Sequence, residues 1–287
     1  MAVLIWGSTW FAIEFQLGVV PPEVSIVYRY IGASLILFIW SIFKGLPLRF
    51  NVNSHKWFAL MGLLMFSLNY ILAYRAQIYI TSALSAIAFS AMLWMNIINA
   101  RLFFRVRVVP RIYLGALLGV AGICVLFGPQ VAEISFSDGV FFGSFLAVIG
   151  ALMASFGNMA SQAAQKAKLP VVQSNAWSML YGTFFTAIVA ALQGHDLVFD
   201  PTPGYVISLA YLTVFGSVIA FGAYLTLLGR IGAHRAGYAT VMFPGVALIL
   251  SMLFEGLALE SYVLLGFLLV LGGNLLVLVG DTNKQRI

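Results

Sequence analysis

Apolar residues in this chain follow one another in long unbroken runs instead of alternating with polar ones. Ten runs stand out, at about 2–18, 24–43, 56–79, 82–101, 111–127, 138–165, 171–192, 203–229, 234–254 and 260–280. A bilayer core about 30 Å thick takes roughly 20 apolar residues of helix to cross, so each run predicts a transmembrane helix. The alternating pattern of a membrane β-barrel is not seen. The first run starts at Met1 with no basic segment before it, so no removable signal peptide is expected.

The connections between runs are short, and their charges are segregated. Loops 2–3, 4–5, 6–7 and 8–9 and the tail hold Lys44, Arg49, Lys56, Arg101, Arg105, Arg107, Arg111, Lys166, Lys168, Arg230, Arg235, Lys284 and Arg286. The opposite loops hold no Lys or Arg and carry Glu23, Glu133, Asp138, Asp196, Asp200 and Glu260. Cytoplasmic loops of membrane proteins are the Lys/Arg-rich ones. Ten spans with both termini in the cytoplasm follow.

Composition agrees. Of 287 residues, 62% are hydrophobic and 8% are charged, against about a quarter charged in soluble domains. A soluble enzyme, a nucleic-acid-binding module and a disordered chain are excluded. The net charge of +6 is then an orientation signal, not a sign of a nucleic-acid partner. The lone Cys124 lies in an apolar run and can form no intrachain disulfide.

The chain also resembles itself at an offset of 151 residues. Ile80-Thr81-Ser82-Ala83 aligns with Ile231-Gly232-Ala233-His234, Leu102-Phe103 with Leu253-Phe254, Tyr113-Leu114-Gly115 with Leu264-Leu265-Gly266, and Gly122 with Gly273. One constant offset suggests duplication, with a first five-helix repeat over 1–128 and a second over 137–281. Five is odd, so the second repeat enters the membrane in the opposite sense. Inverted repeats are the architecture of alternating-access carriers, with substrate near the midplane between the halves.

Several motifs resemble a known family. Trp6-Gly7-Ser8-Thr9-Trp10-Phe11-Ala12-Ile13 is similar to the W-G-[ST]-x-[FW] opening of the EamA group in the drug/metabolite transporter superfamily. Arg29-Tyr30 resembles that group's R-[FY] pair. Gly232-Ala233-His234-Arg235-Ala236, Phe243-Pro244, Glu255-Gly256 and Gly266…Gly272-Gly273 resemble its second repeat. One departure is that Phe104 stands where a first-repeat counterpart of Glu255 would fall. The resemblance implies a ten-helix carrier whose cavity is lined by spans 1, 3, 4, 6, 8 and 9, most like the exporters of aromatic and other neutral amino acids.

Polar and aromatic residues form stripes at helical spacing. Span 3 carries Ser67, Tyr70, Tyr74 and Gln77, span 4 carries Ser85, Phe89, Met92, Asn96 and Asn99, and span 6 carries Ser155, Asn158, Gln162 and Gln165. Span 8 carries Thr213, Ser217, Phe221 and Tyr224, and span 9 carries His234, Tyr238 and Met242. Such faces should turn away from lipid, either to line a cavity or to tie helices together. Tyr70, Tyr74, Met92, Trp94, Asn158, Gln162 and Tyr224 are the expected substrate contacts, for a neutral amino acid or similar metabolite with a large apolar side chain. Pro244 and Gly232 are expected hinge positions, the former by kinking span 9.

Three charges enter the spans: Glu14, Arg29 and Arg75. Glu14 and Arg29 fall at matching depth on adjacent spans, which predicts an ion pair, structural or gating. Arg75 either snorkels to headgroups or binds a carboxylate. Charge at mid-membrane depth, which a dianionic substrate would require, is missing, and no metalloprotease, nucleophile-elbow or Walker spacing occurs.

The expectation is a multi-pass, all-α carrier in the cell membrane (the inner membrane in a bacterium), monomeric, without cofactor or bound metal, and not an enzyme. A broad-specificity metabolite exporter or a channel-like facilitator are the alternatives. Tags fused at either terminus should be reached by a membrane-impermeant reagent only after the membrane is opened. Labelling of an intact-cell C-terminal tag would break the ten-span reading.

Overall fold

The structure, a computed structural model, describes residues 1–106, 110, 111, 113–115, 117–119, 121, 122, 125, 139–237, 239–254 and 260–281. Among them every regular element is helical and no strand occurs. The helices are α1 (Ala2–Glu14), α2 (Pro22–Phe43), α3 (Val52–Gln77), α4 (Ser82–Phe104), α5 (Gly139–Lys166), α6 (Val171–Leu192), α7 (Pro203–Ile231), α8 (Ala239–Phe254) and α9 (Ser261–Asp281). A single turn, Ala233–Ala236, links α7 to α8. Six helices, α2 to α7, are long and apolar enough to cross a membrane. Arg107, Cys124, Glu133, Asp138, Tyr238, Glu255, Lys284 and Arg286 lie outside the described residues, as does much of the fifth run.

Local chemistry explains where the helices begin and end. Helix α2 opens with Pro22, whose missing N–H is not needed there, and Glu23 in the first turn complements the helix dipole. Asn51 caps α3 by accepting the Ser54 N–H at 2.8 Å, and Thr81 caps α4 by accepting the Leu84 N–H at 3.4 Å. Helices α2, α6 and α7 are followed by left-handed glycines, Gly45, Gly194 and Gly232. Arg105 and Lys168 take the same conformation after α4 and α5, at φ of 54° and 61°. The first helix ends earlier than its apolar run: α1 stops at Glu14, and Gly18 turns the chain with a φ of 118°.

Three helices lose regular α-geometry midway. Helix α3 runs through a π-helical stretch at Gly62–Leu68, and α7 through another at Leu212–Ile219. The two starts are about 150 residues apart, close to the offset of the internal repeat. Helix α4 tightens at Ser90–Ala91, where Ala91 N–H reaches the Ala88 carbonyl and Leu93 N–H the Ser90 carbonyl. Ser90 Oγ also donates to the Ile87 carbonyl at 2.6 Å. Departures of both kinds recur at functional sites. Here all three face the same interior.

Without a hydrophobic drive between helices in lipid, close approach depends on small residues. A Cβ on Gly62 would lie 2.7 Å from the Ser178 carbonyl, so α3 and α6 meet backbone to backbone. In the fifth run, a Cβ on Gly122 would lie 2.6 Å from the Gly266 carbonyl of α9, and one on Gly273 would lie 2.5 Å from the Gly115 carbonyl. The repeat-related Gly122 and Gly273 therefore serve one contact from its two sides. Gly273→Leu should lower the melting temperature of detergent-purified protein by several degrees, an overpacking cost of about 1–3 kcal/mol. An unchanged melting curve would mean the two segments do not touch there.

Candidate functional site

A cavity lies among the three helices that carry irregular stretches, with α1 and α5 completing its wall. Trp6, Thr9, Trp10 and Ile13 line it from α1, and Met65, Asn69, Tyr70 and Ala73 from α3. Phe89 and Met92 flank the tightened turn of α4, Ala154 and Asn158 come from α5, and Phe221 and Tyr224 from α7. Its volume is about 60 Å³, room for about two waters at roughly 30 Å³ each. In this conformation the cavity is drawn tight. Admitting an organic metabolite requires side chains or helices to move.

Its wall is an aromatic cage. The Trp6 ring meets Phe221 edge-on at 5.0 Å and Tyr224 at 4.9 Å, and Trp10 meets Phe89 at 5.1 Å. Trp6 and Trp10 sit four residues apart, hence on one face of α1. Trp6 Nε1 donates to the Gly216 carbonyl at 3.2 Å, inside the π-helical stretch of α7. That irregular turn therefore also fixes the cage's central ring.

Polar groups enter at two points. Asn158 Nδ2 donates to Asn96 Oδ1 at 3.2 Å and to the Tyr224 hydroxyl at 3.1 Å, with Met92 Sδ at 3.7 Å. One amide thus links α4, α5 and α7. Asn69 Nδ2 donates to the Met65 carbonyl at 3.1 Å, while its Oδ1 is buried without a partner. A buried acceptor left unmade is costly; beside a cavity it is an acceptor held ready for a ligand N–H.

Behind Tyr70 lies Arg29, 1% exposed. Its Nε donates to Ser217 Oγ at 2.9 Å and its Nη1 to the Tyr74 hydroxyl at 3.3 Å. The guanidinium carbon stands 4.7 Å from the centre of the Tyr70 ring and 5.4 Å from that of Tyr30. Ser217 can accept because its own proton goes to the Leu212 carbonyl, five residues back along the π-helical turn. Desolvating an ion costs several kcal/mol, and a desolvated ring face returns about 2 kcal/mol. Among the described residues no carboxylate pairs with Arg29.

The ion pair expected between Glu14 and Arg29 is therefore not formed. Glu14 Oε1 accepts from Gln77 Nε2 at 2.7 Å, and Arg29 turns toward α3 and α7. Matching depth says nothing about the rotation of each helix, and rotation separates these two. Arg75 instead pairs with Glu23 at 2.7 Å and donates to Gln193 Oε1 at 2.7 Å. The carboxylate expected of Arg75 belongs to this chain.

Of the expected substrate contacts, Tyr70, Met92, Asn158 and Tyr224 line the cavity. Tyr74, Trp94 and Gln162 do not. Tyr74 is fully buried against Arg29. Trp94 packs where a Cβ on Gly119 would come within 2.9 Å, so its ring seals the fifth run. Gln162 Oε1 accepts the Ala233 N–H at 2.8 Å, and the side chain lies in a separate depression with Lys166 and Arg230. Gly232, at a φ of 84°, marks the break between α7 and the following turn. Pro244 falls within α8, a single helix, and its side chain lies outside the described residues.

Trp6, Thr9, Trp10, Ile13, Met65, Asn69, Ala73 and Ala154 also line the cavity and stood on none of the sequence stripes, whereas Phe89 and Phe221 stood on the stripes of spans 4 and 8 without being expected as contacts. The four-residue spacing of Trp6 and Trp10 would have indicated the first two aromatic rings. Asn158→Leu should lower stability by about 0.6–1.7 kcal/mol, the range for interhelical hydrogen bonds in membranes, seen as an earlier thermal transition in detergent. A transition at the wild-type temperature would show that the α4–α5–α7 link carries no weight.

Comparison with known proteins places this architecture. The inner membrane transporter YedA of Escherichia coli, named as uncharacterized, is 26% identical over 253 residues, 86% of this chain and 78% of its own. The uncharacterized transporter YoaV of Bacillus subtilis is 24% identical over 278 residues, 94% of this chain and 91% of its own. A solved crystal structure 19% identical in sequence superposes with a TM-score of 0.76 over 99% of this chain and 96% of the other. That likeness shows that the fold occurs experimentally. The EamA-like transporter family matches residues 1–128 and 141–279, nearly the whole chain. With its several membrane-spanning helices, this chain is a multi-pass membrane protein and belongs to the EamA-like transporter family.

Proposed function

We propose that this protein is a secondary carrier that exports small metabolites of no net charge, with aromatic or large apolar side chains, by alternating access between inverted repeats. The observation that carries the substrate reading is the cavity. Rings from α1, α3, α4 and α7 surround two amides, and among the described residues no carboxylate or amine lines it. Aromatic faces and the Met65 and Met92 thioethers suit a flat apolar body, and the amides offer both donors and acceptors to its polar end.

The alternating-access reading is supported by the paired π-helical stretches. They fall at repeat-related positions in α3 and α7, and both run beside the cavity. π-helical turns inside α-helices recur at functional sites. Two such turns, one per repeat, give each half a matching place to yield. The segregation of Lys and Arg to one side of the membrane supports cytoplasmic termini.

Counterflow in proteoliposomes separates a carrier from a channel-like facilitator. Unlabelled phenylalanine trapped inside should accelerate entry of labelled phenylalanine, which a channel cannot do. Phe221→Ala and Tyr70→Ala should then lower transport of phenylalanine relative to alanine by about 10- to 200-fold, the worth of 1–3 kcal/mol of apolar contact. Equal losses for both substrates in folded protein would remove the aromatic cage as the selectivity element.

A further inference from the structure

Arg29 is the one full charge adjoining the cavity for which the structure offers only neutral acceptors among the described residues. Its partners are the hydroxyls of Ser217 and Tyr74 and the ring faces of Tyr30 and Tyr70. The nearby acids are committed elsewhere. Glu23, on the same helix, pairs with Arg75 at 2.7 Å, and Glu14 accepts from Gln77 at 2.7 Å. A positive charge inside the membrane is expensive, and its retention marks an ion or substrate path.

The geometry also places this cation directly against the cavity wall. Tyr70 belongs both to the cavity wall and to the cation's surroundings. On the other side, Gly216 lets the cavity wall and the guanidinium approach closely, with no room for a side chain between them. A Cβ there would lie 2.9 Å from Thr9 Cγ2 and 3.0 Å from Arg29 Nη2. Thr9 lines the cavity, so Nη2 stands directly behind the wall, while Nε and Nη1 point to their protein partners.

We propose that Arg29 recognises the substrate's carboxylate. The assignment rests on the carrier reading above and narrows its substrates to monocarboxylates, including zwitterionic amino acids. The apolar body stays in the aromatic cage and the carboxylate passes Tyr70 and Thr9 to the Nη2 edge of Arg29. Asn69 Oδ1, buried and unpartnered on the cavity side of α3, accepts from an ammonium where the substrate has one. A single cation with neutral hydroxyls matches one negative charge and leaves a dianion undercompensated.

The test uses the full-length purified protein and three probes of one shape. Phenylalanine carries both charged groups, phenylalaninamide lacks the carboxylate, and 3-phenylpropionate lacks the ammonium. Quenching of Trp6 and Trp10 fluorescence reads binding, and competition against labelled phenylalanine counterflow reads transport. Wild-type protein should bind phenylalanine and phenylpropionate at least ~30-fold more tightly than the amide. Arg29→Gln, checked for folding by gel filtration, should bring that ratio close to one. Gly216→Ala keeps the charge but crowds Arg29 Nη2 and Thr9, and should weaken the two acids ~10-fold more than it weakens the amide.

Wild-type binding that ignores the carboxylate overturns the assignment and leaves the carrier reading standing. So does an unchanged acid-to-amide ratio in folded Arg29→Gln. If none of the three aromatic probes binds or exchanges, the substrate reading itself fails and the Arg29 assignment fails with it.

Discussion

Inside a bilayer no water is at hand to satisfy a buried polar group, so each must find its partner on another helix or on its own backbone. That constraint organises this molecule. Ser34 of α2 donates to the Ala176 carbonyl of α6, Thr186 of α6 to Ser67 of α3, and Asn99 of α4 to Ser155 of α5. Asn158 joins α4, α5 and α7, and Arg29 joins α2, α3 and α7. The bonds are individually weak in membranes, and they set the rotation of each helix about its axis. Rotation in turn decides which side chains look into the cavity.

The π-helical stretches belong to the same accounting. A π turn frees a carbonyl from regular pairing and widens the groove beside it. In α7 the Leu212 carbonyl takes the Ser217 hydroxyl, and the Gly216 carbonyl takes the Trp6 indole. The irregularity thereby holds the cage's central ring on one side and the acceptor for Arg29 on the other. In α3, Asn69 follows immediately after the π-helical stretch, and its amide bonds back to the Met65 carbonyl within it. Irregular backbone is tolerated at membrane depth where it is buried in protein or lines a cavity, and both stretches meet that condition.

The outer ends of the helices follow a different rule. Glu23 is fully buried, yet its partner Arg75 is 40% exposed, so this pair is partly screened and worth less than its short distance suggests. It links α2 to the end of α3, away from the cavity wall. Electrostatics is thus divided between a compensated pair at the periphery and an uncompensated cation beside the site.

The sequence alone determined that the chain is helical and membrane-embedded, and it suggested an internal duplication. Those properties depend on run length, on charge segregation between loops and on a constant offset, all of which are written linearly. It also indicated the stripes from which Tyr70, Met92, Asn158 and Tyr224 reach the cavity, because a regular helix maps spacing onto a face. It also named Tyr74, Trp94 and Gln162, which do not line this cavity, and it paired Glu14 with Arg29 on depth alone. Depth follows from position in a run, but azimuth does not. A π-helical stretch in α3, another in α7 and a tightened turn in α4 each shift the register that spacing arguments assume. Only the packed structure decided which hydroxyls would surround Arg29, because those contacts join residues 45 and 188 positions apart, and nothing local in the chain encodes them.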